Sequence, residues 1–241
     1  MPACGLSVPL LPRSAALVAL AALAACTPED VAPTPPSPLA LDAQQRTTPL
    51  VCPGAPTCTT ATGPLYVGAA ARSITPTLER WTDGDGDGRY DEGEAFEDLD
   101  GDGVWDPVWL AGFGLGRPAR ELHDELWARA LVLAQGELRV GVVSLDTIGY
   151  FHDGVVRVRL AALARGLDLD QVVVASTHQH QGQDTMGLWG PSSLSRSIDE
   201  AYLARVEATA VDALEAALGA LHEVSITVAR GGAPELVSDS R

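Results

Sequence analysis

From residue 65 onward, apolar residues recur in short, regular runs. Residues 66–74 alternate between apolar and small or polar positions, the mark of a strand with one buried face. Residues 127–133 and 138–145 are two further runs of this kind, and Ala134-Gln135-Gly136-Glu137 between them predicts a hairpin. Across 154–167, Val155, Val156, Val158, Leu160 and Leu163 fall at near-helical spacing. A short buried strand is expected at 171–175 (QVVVA), a long Ala/Leu/Glu-rich helix at 198–221 and a closing strand at 224–228. Strand and helix therefore alternate, which predicts an α/β protein, a layered sheet with flanking helices.

The first 63 residues follow no such period. Residues 1–25 read as a leader: Arg13 is a thin positive region, and the apolar run at 14–25 is too short to span a bilayer, which takes about 20 residues. The run ends in Leu23-Ala24-Ala25-Cys26, which looks like a bacterial lipobox. The expectation is lipidation of Cys26 and attachment to the cell envelope, at the outer membrane or surface. An ordinary secretory leader is the other reading. Residues 26–63 are rich in Pro, Thr and Ala and read as a disordered tether before a domain at 64–241. Cys52 and Cys58 lie in the tether, read as a local disulfide in an oxidising compartment or, alternatively, as a metal pair.

Charge changes the picture in one respect. The 241 residues hold 32 acids against 16 bases, a net charge of -16, which excludes a nucleic-acid backbone as partner. Every base is Arg. The absence of Lys rules out Schiff-base chemistry and a Walker A phosphate loop, and the absence of Asn rules out N-glycosylation. The acidity is concentrated: between Asp83 and Asp106 there are eleven acids and one base, Arg89, so this stretch supplies ten of the sixteen net negative charges.

That stretch has a pattern. Residues 83–94 read D-G-D-G-D-G-R-Y-D-E-G-E and fill every position of an EF-hand calcium loop. Asp83, Asp85 and Asp87 take positions 1, 3 and 5, Gly88 the sharp turn at 6, and Arg89 offers its carbonyl at 7. Asp91 and Glu94 take 9 and 12. A second copy starts fifteen residues later with Asp98, Asp100, Asp102, Gly103 and Asp106, but Trp109 stands at position 12, so weaker binding is expected. This spacing leaves no room for flanking helices. The two loops are expected to form a calcium-binding insertion at 83–109, packed by Trp105, Trp109 and Trp127, which read as packing residues rather than a sugar-binding platform. A merely solvated acidic loop is the alternative.

The other chemical cluster follows the QVVVA strand: Ser176-Thr177-His178-Gln179-His180-Gln181-Gly182-Gln183-Asp184. An H-x-H just after a buried strand sits at the carboxyl edge of a sheet, where α/β proteins build their sites. Two neutral imidazoles, His178 and His180, suit Zn²⁺ and other borderline metals. Polar loop histidines are the bland reading. The preceding strand ends in Asp146, placed to reach the same edge and orient an imidazole, and Met186 and Trp189 could form an apolar wall. His123, His152 and His222 read as surface or capping residues.

Four segments in this order, Val-Gly-Ala-Ala-Ala-Arg-Ser-Ile-Thr-Pro at 67–76, Ala-Arg-Ala-Leu-Val-Leu at 128–133, Val-Val-Ser-Leu-Asp at 142–146 and Ala-Ser-Thr-His-Gln-His at 175–180, are together similar to the N-terminal part of the neutral/alkaline, non-lysosomal ceramidase family. The resemblance covers about residues 65–241. It implies a zinc-dependent amidase that cleaves the N-acyl bond of ceramide, with a lipid substrate, His178 as a zinc ligand and His180 beside it. The pattern departs at Gln179, Gln181 and Gln183, and the acidic double loop is an insertion. The family's remaining zinc ligands, a second histidine and a later glutamate and tyrosine, come from sequence beyond residue 241. The chain is therefore expected to be an incomplete, amino-terminal part of such an enzyme and a poor catalyst by itself.

Overall fold

The computed structural model describes residues 61–232 except 89, 193, 196 and 197. The leader, nearly all of the tether, Cys26, Cys52, Cys58 and the Arg89 carbonyl lie outside the described residues.

Five strands form one open sheet in the order β4-β3-β2-β1-β5. They are β1 (Leu65–Ser73), β2 (Trp127–Gln135), β3 (Leu138–Leu145), β4 (Gln171–Ser176) and β5 (His222–Val224). β1 pairs antiparallel with β2 and β5, and β2 with β3 through the turn at Gly136, whose φ of 59° suits glycine. β4 runs parallel to β3, and the crossover between them is helix α1 (His152–Ala164). A second helix, α2 (Glu200–Gly219), starts at the Asp199 side chain, which accepts the Tyr202 backbone N–H at 2.8 Å.

The core lies between one face of the sheet and both helices. Ala128, Ala130 and Val132 of β2 and Val143 and Leu145 of β3 pack on Val206, Ala210, Val211 and Leu214 of α2. These strand residues alternate along the chain, so the period of two in the sequence marks the covered face. Leu131, Leu138 and Val173 are exposed and point to the opposite face. Helix α2 crosses β1 where Gly68 has no side chain: a Cβ there would fall 2.0 Å from the Ala217 carbonyl oxygen.

Of the boundaries that differ from the sequence pattern, two have a clear physical reason. Helix α1 stops at Ala164 rather than 167 because Gly166 turns left-handed, φ 76°, and its N–H caps the Leu163 carbonyl at 2.9 Å. The closing strand occupies 222–224 rather than 224–228. It pairs antiparallel with residues 65–67, so its continuation would face Pro64, which has no N–H to give.

Candidate functional site

Parallel pairing of β3 and β4 sets Leu145 beside Ser176, so the loops after both strands leave the sheet at one edge. The ladder runs on into the loops: Thr177 N–H donates to Leu145 O at 2.9 Å and His178 N–H to Thr147 O at 3.0 Å. His178 then adopts φ 61°, and its Nδ1 meets the Ile148 carbonyl oxygen at 2.6 Å. A carbonyl can only accept, so Nδ1 carries the proton and the Nε2 lone pair is free for a metal. That Nε2 faces His180 Nε2 at 3.5 Å, with the two rings inclined at 78°. Two imidazoles bound to one tetrahedral ion at zinc–nitrogen distances have their nitrogens about 3.3 Å apart. The donor pair therefore fits such an ion.

His180 is seated by distant residues. Its Nδ1 is buried with no hydrogen-bond partner and lies against Gly112, where a Cβ would come within 2.6 Å. The Phe113 ring is 4.5 Å from the His180 ring, and Arg117 donates to the Gly112 carbonyl at 2.7 Å. Phe113 is also left-handed, φ 57°. It and His178 are the two non-glycine residues with positive φ among those described, and both touch His180. Backbone strain of this kind persists where the surroundings enforce it, commonly at functional sites.

Asp146 reaches this edge too, but its carboxylate accepts from Arg129 at 2.6 Å and from the Trp127 N–H at 3.0 Å. The group that orients an imidazole is the Ile148 carbonyl. The backbone oxygen of Asp146 accepts from the Gln179 amide at 2.8 Å, which braces the histidine loop. A cleft of about 810 Å³ adjoins it, lined by Leu78, Val108, Leu126 and Asp146 together with Thr177, Gln179 and Gln181. His178 and His180 alternate with these last three and do not line it. Met186 sulfur lies against Gly149. His152 begins α1, and exposed His123 pairs with Asp124 at 2.8 Å, which raises its pKa. His222 is exposed in β5.

The two acidic loops share a set of equivalent bonds. Asp83 accepts from Gly86 N–H at 2.7 Å and Gly88 N–H at 3.0 Å; Asp98 accepts from Gly101 at 2.7 Å and Gly103 at 3.0 Å. Asp85 accepts from Asp87 N–H and Asp100 from Asp102 N–H, each at 3.1 Å. The glycines at both turns are left-handed, at 79° and 83° in the first loop and 81° and 78° in the second. Glu94, the twelfth residue of the first loop, accepts from the second residue, Gly84, at 2.6 Å and from the ninth, Asp91, at 3.1 Å.

In the second loop Glu79 takes that part. It accepts from Leu99, again the second residue, at 2.8 Å and from Asp106, again the ninth, at 2.9 Å. Carboxylate oxygens of Glu79, Asp98 and Asp100 lie within 4.8 Å of one another, as do those of Glu94, Asp83 and Asp85. Glu79 is only 5% exposed. Trp109 stands at position 12, and the carboxylate that closes the second loop comes from nineteen residues before the loop begins. A motif of fixed length cannot find it; the one signal is an acid at 79 next to Leu78 and two residues before Trp81.

Trp105 ties the parts together, donating from Nε1 to the Glu79 carbonyl at 3.0 Å and stacking near Trp81 and Tyr90. Trp109 lies 6.4 Å from it, ring to ring. Asp106 has its pKa raised, first by burial and then by the like charges of Asp102, Asp100 and Glu79. A divalent cation relieves such crowding.

No protein-family model matches the chain, and no curated protein does. Among solved structures it is similar to neutral ceramidase from Pseudomonas aeruginosa, at 20% identity and a TM-score of 0.46 over 66% of this chain and 22% of that one. It is also similar to a ceramidase complexed with C2, at 21% identity and a TM-score of 0.44, with the same shares covered. The chain spans about a fifth of their length, 22%. At this identity and TM-score the likeness is one of chain path, and it extends no activity or ligand to the present residues.

Proposed function

We propose that this chain carries part of the metal centre of a zinc-dependent amidohydrolase acting on the N-acyl bond of ceramide or a related N-acyl lipid. The observation behind this reading is the convergence of two imidazole Nε2 atoms at 3.5 Å, one of them held by a carbonyl on its Nδ1. His178 and His180 would hold the ion. Zinc bound there supplies Lewis acidity toward an amide carbonyl and a lowered pKa for water. Ile148 fixes the His178 ring, while Gly112 and Phe113 seat His180. The adjoining cleft of about 810 Å³, with Leu78, Val108, Leu110 and Leu126 in its wall, suits an alkyl chain. Catalytic zinc usually has three protein ligands, so the two histidines are a partial set. On this reading the protein is held at the envelope by a lipid on Cys26.

The acidic loops are proposed as two calcium sites that stabilise the insertion. The first uses Asp83, Asp85, Asp87, Asp91 and Glu94 with the Arg89 carbonyl. The second uses Asp98, Asp100, Asp102 and Asp106, and Glu79 supplies the carboxylate that position 12 lacks.

The test is zinc affinity by competition with a chelating dye, together with turnover of a fluorescent N-acyl lipid, for the chain and its His178→Ala and His180→Ala variants. Both substitutions are expected to weaken zinc binding at least about tenfold. Unchanged affinity removes the pair from any metal centre.

A second reading is a non-catalytic, calcium-stabilised surface lipoprotein that binds an envelope component. It is favoured by one observation: among the described residues no group of three metal-ligating side chains includes His178 or His180. Calcium stabilisation without zinc binding or turnover selects this reading.

A further inference from the structure

Two loops flank the histidine pair, 111–118 and 185–192, and they are tied to each other and to the sheet edge. Ala111 N–H donates to Gly182 O at 3.0 Å, Asp184 N–H to Trp109 O at 2.8 Å and Gly116 N–H to Gly190 O at 2.9 Å. The second loop is also pinned from within. Asp184, 1% exposed, accepts from the backbone N–H of Met186, Gly187 and Trp189 at 2.8, 2.9 and 2.8 Å. A buried carboxylate spent on shaping a loop marks a built surface.

What this surface presents is apolar. Phe113 is 78% exposed, Leu115 46% and Leu188 55%. Water-facing side chains of this size on adjoining, hydrogen-bonded loops are the usual sign of an interaction site. Charge narrows the partner. The two segments contain no Asp or Glu and one cation, Arg117, in a protein of net charge -16. An acid-free apolar rim with a basic residue beside it suits a phospholipid surface, whose headgroups carry negative charge and whose interior takes Phe and Leu.

We propose that loops 111–118 and 185–192 dock on a lipid bilayer surface, with Phe113, Leu115 and Leu188 entering the interfacial layer. This builds on the amidase reading in one respect, that a reactant with an apolar chain reaches the histidine pair from a lipid phase. It is separate from any lipid on Cys26, because the contact is made by folded loops 85 or more residues further along the chain.

The experiment uses the full chain carrying Cys26→Ala, so that no attached lipid contributes, and compares it with the same protein carrying Leu115→Ser and Leu188→Ser. Phe113 stays intact because its ring packs on His180. Flotation with vesicles of phosphatidylcholine and phosphatidylglycerol is expected to show about tenfold weaker partition for the double variant. Its melting temperature and zinc titration stay unchanged. Vesicles should also slow amide hydrogen exchange in 111–118 and 185–192 of the parent. Equal partition overturns the proposal, as does exchange in those loops that ignores vesicles. Protection that grows with protein concentration without lipid overturns it too, by assigning the rim to a second copy of the chain. Zinc affinity of the parent, read in the same titration, keeps the amidase reading apart from the docking: its absence counts against that reading alone.

Discussion

The two acidic loops and the histidine pair differ in how far along the chain they reach for the groups that shape them. The first loop takes its closing carboxylate from its own span: Glu94 reaches Gly84 and Asp91 within twelve residues. The second makes the same bonds but borrows Glu79 from outside its own span. The histidine pair goes further. His178 is oriented by Ile148, thirty residues earlier, and His180 is seated by Gly112 and Phe113, more than sixty residues earlier. Similar donor chemistry is thus assembled at three ranges, and damage to each should come from a correspondingly different place.

Removal of calcium tests the two loops together and should have the largest effect. Each site, if saturated about a hundredfold above its dissociation constant, contributes about 2.7 kcal/mol. For a domain of this size that corresponds to a combined fall of about 10 °C or more in melting temperature on chelation, reversed by calcium. Calorimetry showing the same melting with and without calcium would remove both sites. Next in size is the substitution that separates the two loops. Glu94→Gln and Glu79→Gln should each weaken one of two calcium sites, by on the order of tenfold to a hundredfold, and leave the other intact. Titration calorimetry reads both affinities. A Glu79→Gln protein with two unchanged sites would mean that the second loop closes without it. The smallest effect belongs to the long-range assembly. Gly112→Ala puts a methyl against His180 at a backbone φ of 83°, and should weaken zinc binding about tenfold at a stability cost of about 1 kcal/mol. Calcium binding should not move. If it does, the two regions are not independent.

The same gradient decides what could be read from the chain beforehand. Strands β1 to β4 and both helices follow from alternation and near-helical spacing, because side-chain period is a local property. The hairpin at Gly136 and the first calcium loop pattern are local as well. The end of β5 was not legible, since it depends on Pro64 across the sheet, and neither was the role of Glu79. The H-x-H could be placed at the sheet edge from the strand before it. Its convergence could not, because it rests on the left-handed turn at His178 and on a glycine far upstream. Asp146 does lie at the expected edge, but its carboxylate meets Arg129, which the β2–β3 register sets opposite Ser144, two residues before it.

Gly68 and the crossing of α2 over β1 carry a consequence for how the molecule comes into being. The first strand among the described residues, β1, lies between β2 and β5 and packs against α2. Until residues 200–224 exist, Leu65–Ser73 has one neighbour in the sheet, and the face bearing Val132, Val143 and Leu145 lacks its main cover. Contacts spanning so much of the chain make folding slow, because the loop between them must close before they reward it. The nascent sheet is therefore bound to wait, with its future core open, until residues 200–224 arrive.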